Sequence, residues 1–244
     1  MTVRYSTPLG SAGLLLLMLA AWWLASWRIF VVPSPPSTIG ALVADLADPQ
    51  YIQHLAATAE GSAAAFVLSI VVGVALGLTL GLIEPVREAL QPLLVALNGV
   101  PKIVLYPILL LLFGMALGSK IAMGAVFGIF PVMLNLSAGL SDLPAIYKRL
   151  GRSLRASRWQ MFVHIYLPAA LGPFLTGVRL AFSLSVVGVV LSEMLATRLG
   201  LGRVIESSYS LGRYAEMSAS IVLLLAASLV GSLTLWYFER RVTA

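Results

Sequence analysis

The chain has 244 residues, of which 59% are hydrophobic and only 11% are charged, and its mean hydropathy is +0.96. This number of polar residues is too small to cover the surface of a water-soluble globule of this size. The composition therefore predicts an all-α, polytopic membrane protein. The absence of cysteine excludes disulfides, iron–sulfur clusters and thiol catalysis. The net charge of +6 lies mostly in short loops between apolar runs, without an aromatic platform beside it, so no nucleic-acid partner is expected.

Apolar runs separated by charged or proline-rich breaks predict about six transmembrane helices. Their approximate bounds are 11–32, 60–83, 92–113, 119–140, 173–196 and 216–238. What remains is too short for a separate soluble domain, so residues 1–244 are expected to form a single transmembrane domain.

The first span has the outline of a secretory signal peptide, with Arg4 followed by an apolar run and small residues. The run continues through Trp22, Trp23 and Trp27, which favours an uncleaved first span with its tryptophans near a membrane interface. The sequence Pro-Ser-Pro-Pro-Ser at 33–37 cannot continue a helix, and the mixed stretch from there to Leu55 is expected on the membrane surface.

In the second span Gly73, Gly77 and Gly81 recur at every fourth residue and share one helical face. Glycines spaced in this way let another helix approach closely. That helix belongs either to the same chain or, alternatively, to a second subunit.

Prolines and polar residues interrupt the third span, among them Asn98, Pro101 and Lys102. Backbone groups freed by proline are tolerated at membrane depth only where protein or a water-filled cavity satisfies them. The segment is therefore either a kinked packing helix or part of the translocation path, with Lys102 near its cytoplasmic end.

Arg179 and Glu193 both fall in the fifth span, and ionisable residues inside a membrane are functional candidates by default. They are fourteen residues apart, about 21 Å along a helix, so each is expected to pair with a residue elsewhere. Glu193 joins Asn98, Pro101 and Lys102 as a candidate for the translocation path.

With six spans both termini lie on one side, and the lysine and arginine counts predict which side is cytoplasmic. The side of the termini carries nine: Arg4, Arg87, Lys148, Arg149, Arg152, Arg155, Arg158, Arg240 and Arg241. The other side carries four: Lys120, Arg198, Arg203 and Arg213. Both termini, and the long basic loop at about 141–172, are therefore predicted to be cytoplasmic.

The basic loop interleaves apolar and basic residues, which predicts an amphipathic helix over about 143–164. Such a segment rests on anionic lipid or docks a cytoplasmic partner. Its residues 154–160, Leu-Arg-Ala-Ser-Arg-Trp-Gln, and 165–170, Ile-Tyr-Leu-Pro-Ala-Ala, resemble the EAA loop of binding-protein-dependent ABC importer permeases.

In that family the loop has the form Glu-Ala-Ala, three residues, Gly, nine residues, Ile, one residue, Leu-Pro. Placing Ile165, Leu167 and Pro168 on its end puts the glycine position at Arg155. The Glu-Ala-Ala positions then fall at Arg149, Leu150 and Gly151, so the end of the motif matches and its beginning does not.

The likeness to the nitrate, sulfonate and taurine branch extends over most of the chain. It rests on short motifs in a fixed order: Val-Pro-Lys-Ile at 100–103, Phe-Pro at 130–131, Gly-Val-Arg-Leu-Ala at 177–181, Ser-Glu-Met at 192–194 and Gly-Leu-Gly at 200–202. This resemblance implies the transmembrane-domain fold of type I ABC importers and a location in the bacterial inner membrane.

The resemblance also implies a function, namely a permease subunit of an ATP-driven importer for a small anionic solute such as nitrate, a sulfonate or taurine. Its partners would be ABC ATPase subunits, a second permease copy forming a homodimer, an extracytoplasmic solute-binding protein and membrane lipid. The chain has no Gly-x-x-x-x-Gly-Lys-Ser/Thr sequence, so ATP and Mg would be bound by the ATPase partner and no cofactor by this chain.

The loop of this family forms a coupling helix that seats in a groove of the ATPase subunit. The residues expected to make that contact are Arg149, Leu150, Gly151, Leu154, Arg155, Ala156, Ser157 and Trp159. Arginine at the glycine position and at the glutamate position changes the details of the contact.

Other functions stay open at this point. One alternative is an importer permease for an aromatic or pyrimidine precursor, and another is a secondary transporter or channel without an ATPase. An intramembrane enzyme is disfavoured, because no nucleophile and base are expected at one depth. No metal site is expected either, since His54 and His164 are far apart in sequence.

Overall fold

The computed structural model describes residues 7–243, which form helices joined by turns. The helices before the long basic loop are α1 Thr7–Arg28, α2 Pro35–Leu46, α3 Pro49–Leu82, α4 Glu84–Asn98, a 3₁₀ turn Lys102–Leu105, α5 Tyr106–Phe113 and α6 Leu117–Ser141. The loop and the rest contain α7 Ala145–Ser153, α8 Arg158–Met161, a π-helical turn Phe162–Tyr166, α9 Leu167–Ala196, α10 Leu201–Ser210 and α11 Tyr214–Thr243.

Four stretches within this range are long and apolar enough to cross a membrane: Pro49–Leu82, Leu117–Ser141, Arg158–Ala196 and Tyr214–Val242. Helix α4 and the segment Lys102–Phe113 together make a fifth, broken span with a bend of 95°. Helix α1, apolar over Gly13–Arg28, is the remaining candidate for the six predicted spans.

Helices α3, α6 and α9 pack together at the centre of the molecule. The glycine face of α3 lies against α6 of the same chain, where Gly73, Gly77 and Gly81 face Val132, Leu136 and Leu140, respectively. A Cβ atom on Gly73 would lie 2.6 Å from the Cβ of Val132, so the backbones approach more closely than any side chain allows.

Contacts at the helix ends show that α3 and α6 run in the same direction. Gly61, early in α3, lies near Lys120, early in α6, whereas Gly81 and Leu140 meet at the ends of these two helices. The connection through α4 and α5 must therefore return across the bundle. We call the end where α6 stops and α7 and α8 follow the basic end, and the end where α6 begins the opposite end.

The second span begins at Pro49, eleven residues before the predicted start at 60. The end of the stretch predicted on the membrane surface, including His54, is instead part of α3. The side chains of His54 and Thr58 form hydrogen bonds there with the chain around Gly200. Of the stretch predicted on the membrane surface, α2 is the part that forms a separate short helix. It begins after Ser34, whose side chain caps the Ser37 amide at 3.4 Å, and has prolines in its first turn.

The prediction that Lys102 lies near one end of the third span is wrong. Because the span bends at this point, the Lys102 ammonium lies over the rings of Phe127 and Phe130, midway along α6, at 5.8 and 4.9 Å from their centroids. Tyr106, after the bend, is buried and donates a hydrogen bond to the Ser192 carbonyl of α9 at 2.9 Å, which holds α5 against the core.

Candidate functional site

A buried ion pair lies at the opposite end of the bundle. The Lys120 ammonium of α6 is 3.0 Å from the Glu193 carboxylate of α9, and the two residues are 4% and 0% exposed. Removing two charges from water is costly unless further hydrogen bonds satisfy their remaining donors and acceptors.

Those hydrogen bonds come from α3 and from the turn before α10. The Thr58 hydroxyl donates to Glu193 at 2.8 Å and accepts from the Leu201 amide, also at 2.8 Å. The Gly202 amide donates to the same Glu193 oxygen, Oε2, at 3.0 Å, whereas Lys120 binds Oε1 and also donates to the Leu199 carbonyl. The ion pair therefore joins α3, α6, α9 and the start of α10 in one network.

The turn that enters this network depends on Gly200. Its φ of +134° lies in a region that favours glycine, and a Cβ atom at this position would collide with the Glu193 carboxyl group. The Gly200 amide donates to Nδ1 of His54 at 3.0 Å, which ties the turn to α3 a second time.

Sequence reasoning found Glu193 as an intramembrane charge that needs a partner, but it missed Lys120. By position Lys120 counts as a loop charge, whereas the structure places it inside α6 as the counter-ion of Glu193. The available signal was a lysine at the start of an apolar run. Arg179 also has a distant partner, because it lies 3.4 Å from Glu239 of α11.

The four residues proposed for the translocation path occupy two places. Asn98, Pro101 and Lys102 lie together at the bend, where Lys102 donates to the Asn98 carbonyl at 2.9 Å and to its side-chain oxygen at 3.1 Å. Glu193 lies in the enclosed network instead. Along α6 the contacts of Lys102 are seven to ten residues from Lys120, which corresponds to about 10–15 Å.

The prediction of one continuous helix over 143–164 is wrong. Helix α7 ends at Ser153, and α8 begins at Arg158 after a turn in which Arg155 has φ = +53°. The Ala156 amide bonds back to the Gly151 carbonyl at 3.0 Å, and Ser157 caps α8 in a capping box with Gln160. Helix-terminating positions with positive φ favour glycine, so arginine is strained at this position, where the EAA-loop alignment places a glycine.

Gly151 is buried at the contact between α7 and the segment that follows. A Cβ atom there would collide with the Met161 sulfur and lie 2.9 Å from Cδ1 of Ile165. Gly151 therefore lets α7 lie against the chain leading into α9. Gly151 was predicted to contact the partner directly, but it is buried inside the loop.

Most other predicted coupling residues are exposed. Leu154 and Trp159 are each 72% exposed, and the Trp159 ring stacks on Phe162 with 6.0 Å between centroids. We define the loop surface as the exposed apolar and basic side chains of this region: Ile146, Tyr147, Arg149, Leu150, Leu154, Arg155, Arg158 and Trp159. Ser157 is exposed and Ala156 half-buried beside it, while Ile165, Leu167 and Pro168 form the partly exposed passage into α9.

The opposite end differs from the loop surface in charge. On α2, burial and then repulsion by Glu216 and Asp48 raise the pKa of Asp45 above its usual value. The residues from 33 to 55 include Asp45 and Asp48 but no lysine or arginine. The opposite end thus has an excess of negative charge near α2, whereas the basic end has an excess of positive charge near α7.

Comparison with known proteins identifies relatives over most of the chain. Residues 69–243 match the family described as "Binding-protein-dependent transport system inner membrane component". The formylaminopyrimidine transport permease protein ThiX of Halalkalibacterium halodurans is 35% identical over 78% of this chain and 77% of its own length. The taurine transport system permease protein TauC of Escherichia coli is 28% identical over 96% of this chain and 88% of its own.

A solved structure shares the fold. The match is to a chain of the MetNI methionine ABC transporter in an inward-facing conformation, with a TM-score of 0.69 and 17% sequence identity. It covers 79% of this chain and 96% of that one. The predicted fold class, an all-α membrane protein with the type I ABC importer transmembrane fold, is thereby confirmed.

The buried ion pair leads to a prediction about stability. Lys120→Met leaves the Glu193 carboxylate without its counter-ion, and Glu193→Gln strands the ammonium, so each change should lower the free energy of unfolding by about 3–5 kcal/mol. The double variant strands neither charge and should cost less than the sum. Reversible unfolding of the purified protein in bicelles measures all three values. Arg203→Gln, in the exposed Arg203–Glu206 pair, is the control and should cost at most about 1 kcal/mol. Additive losses would contradict the coupling.

The strained turn leads to a second prediction. Arg155→Gly and Arg155→Ala both remove the charge, but only glycine relieves the positive φ, at a difference of about 1 kcal/mol. Amide hydrogen exchange at Leu154 and Ala156 should therefore be roughly fivefold slower in the glycine variant than in the alanine variant. Equal exchange rates would show that the turn carries no backbone strain.

Proposed function

The chain belongs to the family of binding-protein-dependent transport system inner membrane components, and we propose that two copies of it form the translocation pathway of an importer for a small anionic solute. As a member of this family it is a permease subunit of an ABC importer and not an enzyme. ATP hydrolysis belongs to a partner ATPase, and a solute-binding protein delivers the solute.

The orientation proposed from the charge count gains support from the ion pair. Lys120 is buried in α6 and is not a loop charge, so the count for the opposite side falls from four residues to Arg198, Arg203 and Arg213. Nine basic residues on the side of the termini against three favour a cytoplasmic basic end. The loop surface then faces the ATPase subunits.

Coupling is proposed to run through one continuous element. Helix α8, the π-helical turn and α9 form an uninterrupted helical stretch, Arg158–Ala196, with Trp159 near one end and Glu193 near the other. When the ATPase subunits close on ATP, a displacement of the loop surface moves the start of α9. Because Glu193 is hydrogen-bonded to α3 and to the turn before α10, movement of α9 also shifts the opposite end of the pathway.

The solute class rests on Lys102. Its ammonium lies at the bend of the broken span, midway along α6, where unwound backbone in a membrane protein commonly lines a cavity. A cation at membrane depth is costly and typically marks a solute pathway, and an ammonium group there suits a solute of negative charge. The names of relatives such as the taurine permease and the nitrate import permease NrtB of Synechocystis fit this class.

A second solute class is favoured by one comparison. The permease named for formylaminopyrimidine, 35% identical to this chain, points to a pyrimidine precursor. The aromatic rings of Phe127 and Phe130 beside Lys102 offer stacking surfaces for such a ligand. Transport of competing solutes distinguishes the two classes.

The coupling proposal predicts the effect of one exposed tryptophan. Trp159→Ala removes the largest apolar side chain of the loop surface, so transport-stimulated ATP hydrolysis in proteoliposomes with the ATPase and binding protein should fall at least about tenfold. Trp27→Ala is the matched control, since Trp27 is 73% exposed and lies on α1 outside the loop surface. Full stimulation in the Trp159 variant, or solute uptake without any ATPase, would contradict the proposal.

The solute proposal predicts a charge dependence at the bend. Lys102→Gln should reduce uptake of radiolabelled nitrate and ethanesulfonate by about tenfold, because a charge-assisted contact in the pathway is lost. Lys102→Arg keeps the charge and should retain most of the uptake. The same proteoliposomes are tested with a labelled aminopyrimidine. If wild-type protein carries only the pyrimidine and Lys102→Gln leaves uptake unchanged, the anionic class is wrong.

A further inference from the structure

In the part of the chain that the structure describes, the arginines of the loop surface have no acidic partner. Residues 143 to 166 include five lysines and arginines and no aspartate or glutamate. Among the described residues, none of the ion pairs involves Arg149, Arg155 or Arg158, and all three side chains are exposed.

Three arginines elsewhere in the chain, one half-buried and two exposed, have an acidic partner on the same helix surface or turn. Arg87, Arg203 and Arg213 each lie within 3.5 Å of a glutamate three residues away, namely Glu84, Glu206 and Glu216. Local pairing of this kind offsets the charge of a helix-surface arginine. Its absence from the loop surface leaves the charge there available to another molecule.

The same surface carries apolar side chains among the charges. Leu154 and Trp159 are each 72% exposed, and Leu150 is 52% exposed next to Arg149. An exposed apolar group surrounded by charged residues is the anatomy of a protein interface, in which aromatic and arginine side chains dominate the binding energy.

We propose that the loop surface selects an ATP-binding subunit whose docking groove has an apolar floor and a carboxylate-lined rim. This inference rests on the proposed function, since it concerns the partner of the same coupling contact. The apolar residues enter the groove, and the guanidinium groups of Arg149 and Arg158 pair with carboxylates at its edge. An ATPase subunit with a neutral or basic rim is rejected by these charges.

The geometry favours a protein groove over a lipid surface. Arg155 is held at a positive φ, Ser157 caps α8, and Trp159 stacks on Phe162, so the loop surface is preorganised. A headgroup layer attracts basic residues without a fixed shape, whereas a carboxylate groove gains from fixed guanidinium forks, which bind carboxylates in bidentate fashion.

The charges are expected to act mainly on partner choice. Exposed ion pairs contribute little individually and are screened by salt, but complementary charges raise association rates and suppress wrong partners. Affinity from the apolar groups should be nearly independent of salt. Salt dependence thus separates the two contributions.

The test measures binding of the detergent-purified permease to its purified partner ATP-binding subunit at 50 and 300 mM salt, two concentrations chosen to be roughly either side of physiological strength. The double variant Arg149→Gln/Arg158→Gln should raise the Kd about fivefold at low salt and flatten the salt dependence. Arg149→Lys/Arg158→Lys keeps the charge and should preserve the salt dependence. Arg155 is left unchanged because its strained backbone would confound the comparison.

Two controls make the result specific. Arg203→Gln removes a charge at the opposite end and should change neither the Kd nor its salt dependence. Vesicles of phosphatidylglycerol replace the ATPase in a parallel titration. A loss of binding to these vesicles alone, with ATPase binding unchanged, would overturn the inference in favour of lipid.

The two proposals fail in different ways. One outcome is ATPase binding that is tight and independent of salt but is abolished by Trp159→Ala. This result would leave the proposed coupling function in place and would overturn the inference of a carboxylate-lined rim. Wild-type permease that does not bind its ATPase at either salt concentration overturns both. The inference is supported if the Kd rises with salt for the wild-type protein and the double lysine variant but not for the double glutamine variant.

Discussion

The arrangement of this permease depends on the compensation of one buried charge pair. Lys120 and Glu193 are nearly inaccessible to solvent, and each is satisfied by several partners drawn from three helices and a turn. A carboxylate in a bilayer protein is tolerated only with such partners. The positions of α3, α6, α9 and the Gly200 turn are therefore mutually determined at this end, and Gly200 and Gly202 are the residues that let the backbone come close enough.

Away from that network, the same three helices are held by shape. Glycine on α3 faces Val132 and Leu136 of α6, and the hydroxyls of Ser69 and Ser185 meet at 3.2 Å between α3 and α9. Small residues allow close approach where lipid supplies no hydrophobic driving force for helix association. The result is a firm three-helix centre, against which α5, α10 and α11 pack. Their contacts with α9 include the hydrogen bond from Tyr106 to Ser192 and the ion pair between Arg179 and Glu239.

Helix α9 connects the two regions where charge is concentrated. Its first turns follow the loop surface, and its last turns hold Glu193. A helix of this length is stiff, whereas the π-helical turn Phe162–Tyr166 before it is a less regular segment of a kind often found at functional sites. This less regular turn thus lies between the loop surface and the helix that reaches the opposite end. Lys102 lies between these two levels, at the bend of the broken span.

Composition and neighbouring residues were enough to predict the membrane character, the approximate spans, the interruption of the third span, the basic loop and the family resemblance. The sequence also indicated that Glu193 and Arg179 need distant partners. The folded chain was needed to identify those partners, to place His54 and Thr58 inside α3, and to place Lys102 beside the middle of α6. It alone showed the break at Arg155 within the predicted loop helix. These features are stabilised by contacts with residues that are distant in the sequence. A local sequence pattern does not show which distant residues make those contacts.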